Sequence, residues 1–241
     1  MRLKNKTILI TGAAQRIGRS LALSIAHEGG DVIIHHNRSK SEVESLQQEI
    51  KDLGQVAHIA QADFSDSGSL LEFTRQVFST YKIFAVVNNA SIFTDLNWSD
   101  TNLEDWELHQ RINLTAPFII SQAFAKAIPE SSSGRIINLL DWRALRPGAD
   151  HLPYTISKTG LAGLTKSMAL ALAPQITVNG IALGAILPPI SGKTDDKNIS
   201  DLPIPRWANI SELEDTILFL LTGPSYITGE IIHLDGGKHL T

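Results

Sequence analysis

Short apolar runs rich in β-branched residues recur along the chain, and stretches with apolar residues at helical spacing separate them. The β-rich runs predict seven strands, at residues 8–10, 32–35, 56–60, 85–87, 135–140, 177–181 and 230–234. The intervening stretches predict helices that include residues 16–29, 41–53, 67–80 and 154–172. This alternation predicts an α/β fold with a doubly wound parallel seven-stranded sheet and helices on both faces.

The pattern indicates a single domain over residues 1–241, because no repeat or interdomain linker interrupts it. It lapses after the sixth predicted strand, where Pro, Gly, Ser and Asp are frequent. Loops of this length are uncommon without a function, and this one follows the end of a strand at which such sheets bind ligands. We therefore expect a substrate lid at about residues 184–210. A disordered insertion is the alternative.

Composition narrows the class of function. A formal net charge of -4 gives no basic surface field, which disfavours nucleic acid and membrane partners and favours a small-molecule substrate. The absence of cysteine excludes disulfides, thiolate nucleophiles and cysteine-ligated zinc. The eight histidines are scattered without metal-ligand spacing, so we expect ordinary surface or loop histidines and no metal. The first apolar run is too short for a signal peptide, and a cytoplasmic protein is expected.

A glycine motif follows the first predicted strand directly. It reads Thr-Gly-Ala-Ala-Gln-Arg-Ile-Gly from Thr11 to Gly18 and opens a predicted helix. Gly12 permits a tight turn, Gly18 lets helix and sheet approach closely, and the helix N-terminus offers amide groups to a pyrophosphate. At a strand-to-helix junction this motif predicts a dinucleotide site, so the expected fold is a single-domain Rossmann fold.

The end of the second predicted strand bears on the choice of cofactor. An NAD site places a carboxylate there for the ribose hydroxyls, whereas this chain has Asn37, Arg38 and Ser39. These side chains can hold a 2′-phosphate by charge-assisted hydrogen bonds, which predicts NADPH. A solvated arginine in a turn is the alternative. Asp63, just past the third strand, is a candidate partner for the adenine amino group.

Tyr154 and Lys158 lie four residues apart, so both project from one face of a helix. A nearby cation favours a phenolate, and we expect Lys158 to lower the pKa of Tyr154 for acid-base chemistry. The same spacing is common by chance. An amphipathic helix with one interfacial tyrosine is the alternative.

Several motifs together resemble the short-chain dehydrogenase/reductase family over essentially the whole chain. They are Thr11-Gly12 with Gly18, Asn88-Asn89-Ala90, Asn113, Tyr154 with Lys158, and Asp235-Gly236-Gly237. The resemblance implies that Tyr154 donates a proton and that Lys158 anchors the ribose and tunes Tyr154. It also implies that Asn113 holds a water molecule in the proton relay.

Two departures from the usual family pattern bring charge to the site. Arg16 stands where the family usually has glycine, and Asp141 stands where it has the catalytic serine, thirteen residues before Tyr154. Both changes resemble pteridine reductases and bacterial dihydromonapterin reductases, as does the run from His35 to Ser39. A helix-capping or turn role is the alternative for Asp141.

The same resemblance implies roles around the substrate. Ser91 becomes a cofactor or substrate contact, and Phe93 becomes a stacking platform that holds a flat heterocycle against the nicotinamide. A third departure lies after the sixth strand, where the usual Pro-Gly is Leu183-Gly184, followed by Pro188-Pro189. The expected lid therefore hinges differently from the family's.

The predicted site residues form three sets. The catalytic set is Asp141, Tyr154, Lys158 and Asn113. The cofactor set is Gly12, Arg16, Ile17, Gly18, Asn37, Arg38, Ser39, Asp63, Asn89, Ala90, Tyr154, Lys158, Gly184 and Ile186. The substrate set is Arg16, Ser91, Phe93, Asp141 and Tyr154.

These sets predict an NADPH-dependent reductase of a pterin or dihydrofolate-type substrate. Hydride goes to a C=N carbon of the ring, and Tyr154 with Asp141 handles the proton. The first alternative is reduction of an oxoacyl or small-ketone carbonyl, and the second is a non-catalytic dinucleotide-binding sensor. The family resemblance also implies a homotetramer, with helices around residues 101–128 and 154–172 as candidate interfaces.

Overall fold

A computed structural model of the chain describes residues 1–187 and 199–241. Its strands form one parallel sheet in the order β3-β2-β1-β4-β5-β6-β7. The strands are β1 (Thr7–Ile10), β2 (Asp31–His36), β3 (Ala57–Gln61), β4 (Ala85–Asn88), β5 (Gly134–Asp141), β6 (Ile176–Leu183) and β7 (Ile231–Leu234). The predicted seven-stranded α/β sheet is confirmed, with each strand boundary within two residues of the prediction.

Helices connect the strands across both faces of the sheet. The α-helices are α1 (Arg16–His27), α2 (Lys40–Asp52), α3 (Ser67–Thr80), α4 (Leu103–Gln110), α5 (Ala116–Ala127), α6 (Leu152–Leu172) and α7 (Ile210–Thr222). A π-helical turn at Arg111–Thr115 joins α4 to α5, and a 3-10 turn at Trp142–Ala144 follows β5. Among the described residues, no helix is long and apolar enough to cross a bilayer.

The hydrophobic core consists of two main clusters, one on each face of the sheet. Successive residues of β1 point to opposite faces, so Ile8 and Ile10 pack with α1, α2 and α7, while Leu9 packs with α3, α5 and α6. All eight residues of β6 are buried. Burial on both faces explains why these strands are continuous apolar runs.

Strands β2 and β4 flank β1 on opposite sides, which makes the β1–β4 boundary the point where the connections change direction. Crevices of this kind at the carboxyl ends of parallel strands bind ligands in open α/β sheets. The segments that follow β1, β4 and β5 meet there and carry most of the predicted site residues.

The predicted lid lies only partly within the described residues. Residues 188–198, with Pro188 and Pro189, fall outside them. Beyond that gap, the amide of Ile204 donates to the carbonyl of Gly236 at 3.0 Å, and the amide of Ala208 donates to that of Ala185 at 2.9 Å. This part of the segment therefore rests on the loops after β6 and β7, and lid closure stays a prediction.

Candidate active site

The turn after β1 is fixed by a dense set of hydrogen bonds. Gly12 has a φ of +63°, and its amide donates to Nδ1 of His35 at 3.0 Å. The Asn89 amide group donates to the carbonyls of Thr11 at 2.7 Å and Gly12 at 2.9 Å. In return, the Thr11 hydroxyl accepts from the backbone amides of Asn89 and Ala90. The ends of β1 and β4 are thereby held together at the crevice.

The start of α1 leaves no room for side chains facing this turn. A Cβ atom on Gly18 would meet the Gly12 carbonyl and would lie 2.7 Å from Asn89 Nδ2 and 2.8 Å from Ala13 Cα. Arg16 has a φ of +51°, in the left-handed region that glycine adopts most easily. This backbone explains why glycine is usual at that position, and an arginine there carries a strain of about 1–2 kcal/mol.

A cleft of about 520 Å³ opens beside this turn and reaches Tyr154. The predicted site residues that line it are Gly12, Arg16, Ile17, Gly18, Asn37, Asp63, Asn89, Ala90, Ser91, Phe93 and Tyr154. Residues that line it without having been predicted are Gln15, His35, Ala62, Phe64, Ile92 and Ile112. Most of the predicted nucleotide and substrate residues thus share one cleft, whereas Asp141, also predicted to bind the substrate, does not line it and reaches it only through its hydrogen bond with Tyr154.

A second basin of about 360 Å³ adjoins the turn and contains Arg38 and Ser39, together with Gly12 and Asn37 from the cleft. Among the residues that the structure describes, none with a carboxylate lines this basin. The nearby Asp63 carboxylate accepts from the Ser65 hydroxyl at 2.6 Å and the Ser65 amide at 2.9 Å. These hydrogen bonds, with smaller contributions from Asn37 and Arg38, lower the pKa of Asp63.

Asp141 ends β5 and uses its two carboxylate oxygens differently. Oδ2 accepts from the Tyr154 hydroxyl at 3.1 Å, which joins β5 to the first turns of α6. Oδ1 accepts from the backbone amide of Arg143 at 2.9 Å and caps the 3-10 turn. Both interpretations of Asp141, as a turn cap and as a partner of Tyr154, therefore describe the same side chain.

Lys158 lies on the same face of α6 as Tyr154 but contacts a different atom. Its Nζ donates to the Leu139 carbonyl at 2.7 Å and lies 5.7 Å from the centroid of the Tyr154 ring. Burial lowers the pKa of Lys158 to about 8, against the opposing effect of Asp141. Burial also raises the pKa of Tyr154 well above its usual value, and the Asp141 charge and hydrogen bond add to the effect. The pKa of Tyr154 is therefore raised and not lowered as expected, because burial and Asp141 dominate, and the phenol stays protonated at neutral pH.

Asn113 lies in the π-helical turn and is fully buried. Its Oδ1 accepts from the Ser91 hydroxyl at 3.1 Å and the Ile92 amide at 2.9 Å. Its Nδ2 donates to the Ile92 carbonyl and the Ser157 hydroxyl, both at 3.0 Å. Asn113 thus fastens the loop after β4 to α6, a use of local π geometry common at functional sites. Its predicted role as a holder of water stays a prediction.

Phe93 lies half-exposed at the mouth of the cleft. Its ring meets that of Tyr154 edge-on at 4.6 Å between centroids and stacks on His151 at 4.1 Å. The Leu152 amide donates to the Leu96 carbonyl at 2.8 Å, which fixes the same loop against the start of α6. An aromatic ring therefore stands beside the phenol of Tyr154.

Two contributors to the site were not predicted as site residues, although His35 begins the run to Ser39 that resembles the pteridine reductases. His35 is buried, and burial lowers its pKa to about 3, so the ring is neutral. It accepts from the Gly12 amide through Nδ1, its Nε2 faces the Ala62 carbonyl at 3.2 Å, and its ring stacks on Phe64 at 4.0 Å. The expectation of surface or loop histidines is wrong for His35 and His36 in β2 and for His109 in α4, which are all buried. Arg143, the second contributor, lies 3.6 Å from the Asp141 carboxylate.

Other predicted residues lie away from the cleft surface. Lys158 and Asn113 are buried behind Tyr154, and Ile186 packs in the core beside α7. Gly184 follows β6, and its amide donates to the Leu234 carbonyl at 2.9 Å. Neither Gly184 nor Ile186 lines the cleft. Within the described residues no group of three His, Asp or Glu side chains is placed to hold a metal ion.

Comparisons with known proteins agree with the fold. A family model described as short chain dehydrogenase matches residues 6–199. The 3-oxoacyl-acyl-carrier-protein reductase FabG of Staphylococcus epidermidis is 32% identical over 98% of this chain and 100% of its own length. The structure of FolM alternative dihydrofolate reductase 1 from Brucella canis, complexed with NADP, is 34% identical, has a TM-score of 0.91, and matches over 100% of this chain and 97% of its own. A blue fluorescent protein from a metagenomic library, in complex with NADPH, is 30% identical, with a TM-score of 0.91 over 98% of this chain and 99% of its own.

Proposed function

Since the chain belongs to the short-chain dehydrogenase family and is thus an oxidoreductase, we propose that it is an NADPH-dependent reductase of a pterin or dihydrofolate-type substrate. The observation that carries the proposal is the hydrogen bond from the Tyr154 hydroxyl to the Asp141 carboxylate, at the position where the family usually has serine. The FolM relative, named as an alternative dihydrofolate reductase and complexed with NADP, supports it.

The residues around the turn after β1 fit a phosphorylated dinucleotide. The backbone at Gly12 and Gly18 is too close-packed for side chains, so a pyrophosphate can approach the start of α1. Arg38 and Ser39 stand in a basin without a carboxylate, which suits a 2′-phosphate and disfavours the unphosphorylated ribose of NADH. Bound NADPH supplies the hydride for the reduction.

Tyr154 and Asp141 then supply the proton and bind the ring of the substrate. Tyr154 stays protonated at neutral pH, so its hydroxyl can donate a proton to the ring nitrogen as negative charge develops there. The Asp141 carboxylate can accept hydrogen bonds from the N–H groups at the edge of a pterin. Alternatively, it can relay the proton to Tyr154. Phe93, edge-on to Tyr154, offers a flat contact to the heterocycle.

The Asp141 carboxylate favours binding of a pterin over binding of a carbonyl compound. A ketone or thioester carbonyl presents only acceptor lone pairs, and an ionised carboxylate repels them. The serine usual in the family donates a hydrogen bond to such an oxygen, and Asp141 does so only when protonated. A pterin edge carries N–H donors, which match the acceptor oxygens of Asp141.

Reduction of an oxoacyl or small-ketone carbonyl is the second candidate. The 32% identity to FabG over 98% of this chain favours it, and Tyr154 and Lys158 serve either chemistry. In that case Asp141 has to carry a proton to polarise the oxygen.

Turnover separates the two candidates. NADPH oxidation is followed with a dihydropterin, dihydrofolate, folate, an acetoacetyl thioester and a small ketone, each over a range of concentrations. We expect kcat/KM to be highest for one of the pterin or folate substrates. Turnover confined to the thioester or the ketone would contradict the proposal.

A further inference from the structure

We propose that Arg143 is a positioning residue that holds the Asp141 carboxylate in the orientation that the Tyr154 hydroxyl requires. The inference rests on the part given to Asp141 in the proposed function and adds a residue that has no assigned role in it. Arg143 lies in the 3-10 turn after β5, two residues beyond Asp141.

The geometry at Asp141 shows how the orientation is fixed. The Arg143 amide donates to Oδ1 at 2.9 Å, and Nη1 of the same residue lies 3.6 Å from Oδ1. One oxygen is therefore held from two directions by a single residue. The other oxygen, Oδ2, is left facing the Tyr154 hydroxyl at 3.1 Å. A quarter turn about the last side-chain bond of Asp141 would break all three contacts, whereas a half turn only exchanges its two equivalent oxygens.

Arg143 is itself held firmly. Its Nη2 donates to Oδ2 of Asp150 at 2.8 Å, and its guanidinium lies 4.7 Å from the Trp142 ring and 5.9 Å from the Phe93 ring. Only 17% of its side chain is exposed. A partly buried arginine between two carboxylates loses little conformational freedom when it binds either of them.

The charges around the site give Arg143 a second effect on Tyr154. Several charged or titratable groups surround this corner: Asp141 and Arg143 at the end of β5, Asp150 and His151 just before α6, Lys158 in α6, and Lys238 in the C-terminal turn. The Asp141 charge raises the pKa of Tyr154, and the Arg143 charge opposes it. Arg143 therefore favours release of the Tyr154 proton while it orients the acceptor.

A double-mutant cycle separates positioning from simple bracing of the loop. The cycle compares the wild type, Arg143→Met, Asp141→Asn and the double variant, with Arg143→Lys as the conservative change. Arg146→Met is the matched control, because the Arg146 side chain lies on the same loop, is exposed, and donates to the Lys238 carbonyl without contacting Asp141. The kcat of each variant is measured on the best substrate found, whether pterin or carbonyl compound, together with the NADPH dissociation constant.

We expect Arg143→Met to lower kcat roughly 10–100-fold in the wild-type background, because an angstrom of misplacement can cost that much. In the Asp141→Asn background the same change lowers kcat less than about threefold, since residues that act through one another are not additive. Arg143→Lys retains part of the rate, and the NADPH dissociation constant is unchanged. An equal loss in both backgrounds, or no loss in either, would overturn the proposal.

A readout without substrate keeps this test distinct from that of the proposed function. The chain has three tyrosines, so a protein with ¹³Cζ-labelled tyrosine gives few signals, and Tyr154→Phe assigns the one needed. At neutral pH, Arg143→Met must shift the ¹³Cζ signal of Tyr154, because the hydrogen bond from its hydroxyl to Asp141 is displaced, and Arg146→Met must not. If no pterin is reduced, the proposed function fails and this signal still decides the role of Arg143. An unchanged Tyr154 signal in Arg143→Met refutes the positioning role whatever the substrate.

Discussion

At the scale of single residues, the chemistry is concentrated in side chains that also hold the structure. Asp141 caps the 3-10 turn with one oxygen and meets Tyr154 with the other. Lys158 is bound to the Leu139 carbonyl of β5. Because Tyr154 and Lys158 are buried and already partnered, their protonation is set by the fold as much as by the bound ligands.

Lys158 provides a prediction about pH. Its pKa is lowered to about 8, so the charged form is present below that pH and is lost as the pH rises through it. If the ammonium anchors the cofactor ribose, NADPH binding weakens above about pH 8. Fluorescence titration between about pH 6.5 and 9.5 measures it.

The control for this titration is Lys166→Gln, which changes an exposed lysine on the same helix. We expect it to retain the wild-type pH dependence, whereas Lys158→Met gives weak binding that is independent of pH. A wild-type dissociation constant that stays flat across the range would refute the anchoring role.

Arg38 provides a prediction about cofactor choice. Arg38→Ala removes a cation from the basin that lacks a carboxylate, and the loss of charge-assisted hydrogen bonds costs about 1.5–3 kcal/mol. We expect the NADPH dissociation constant to rise roughly 10–100-fold while that of NADH changes little. Isothermal titration with both cofactors measures it. Lys40→Ala, two residues away and outside the basin, is the control, and an unchanged NADPH/NADH preference in Arg38→Ala would rule out the phosphate role.

At the residue scale the sequence predicted those positions that follow from a motif and its place in the fold. Tyr154 and Asp141 were predicted from their spacing in the sequence, and Arg38 was predicted from its place after β2. Arg143 had no such signal, and the resemblance of the run from His35 to Ser39 gave His35 no role, because each acts through neighbours brought together only by folding. Gly12 and Ala62, the partners of His35, belong to two different loops.

At the scale of elements, periodicity located the strands because burial on both faces leaves long apolar runs between polar turns. Helix α3 matched its predicted bounds, since Asp66 caps it through the Ser69 amide. The π-helical turn at Arg111–Thr115 was not predicted, because one extra residue in a turn leaves almost no trace in the hydrophobic pattern.

The junction of β1 and α1 gives a prediction at this scale. In Gly18→Ala the added methyl meets the Gly12 carbonyl and comes within 2.8 Å of Ala13 Cα, neither of which can move without opening the turn. We expect NADPH binding to weaken at least tenfold and the melting temperature to fall, as overpacking costs about 1–3 kcal/mol. Calorimetric melting and NADPH titration check both effects.

Gly163→Ala is the matched control for that change. It lies in α6, where an added Cβ has no neighbour within 4 Å, so the helix gains propensity without a clash. We expect its stability to rise by up to about 1 kcal/mol and NADPH binding to stay unchanged. If Gly18→Ala behaves like Gly163→Ala, close packing at the turn is not required for the cofactor.

At the scale of the whole molecule, the strand order brings the ends of β1, β4 and β5 together, and with them the turn, the loop of Phe93 and the Asp141 carboxylate. The alternation of strands and helices predicted this arrangement, because right-handed crossovers leave few topologies open. It did not predict the contacts within the lid, whose composition carries no periodicity.

Assembly is a further prediction at this scale, and it rests on the family resemblance. We expect light scattering after size exclusion to give about four times the chain mass of 26.3 kDa. Exposed apolar side chains on the candidate interface helices, Phe118 on α5 and Ile156 on α6, are suited to burial between copies. A monomeric mass at micromolar concentration would exclude the homotetramer.

The role of the Asp141 carboxylate is tested most directly by a specificity measurement on Asp141→Ser, which introduces the serine usual in the family. The kcat/KM for a dihydropterin and for an acetoacetyl thioester is measured for the wild type and the variant. We expect the wild type to prefer the dihydropterin. We also expect the change to lower dihydropterin turnover about a hundredfold, because acid-base assistance is lost, while thioester turnover is retained or rises. A wild type that prefers the thioester, or a preference that the change leaves unaltered, would contradict the claim that the Asp141 carboxylate selects a nitrogen heterocycle.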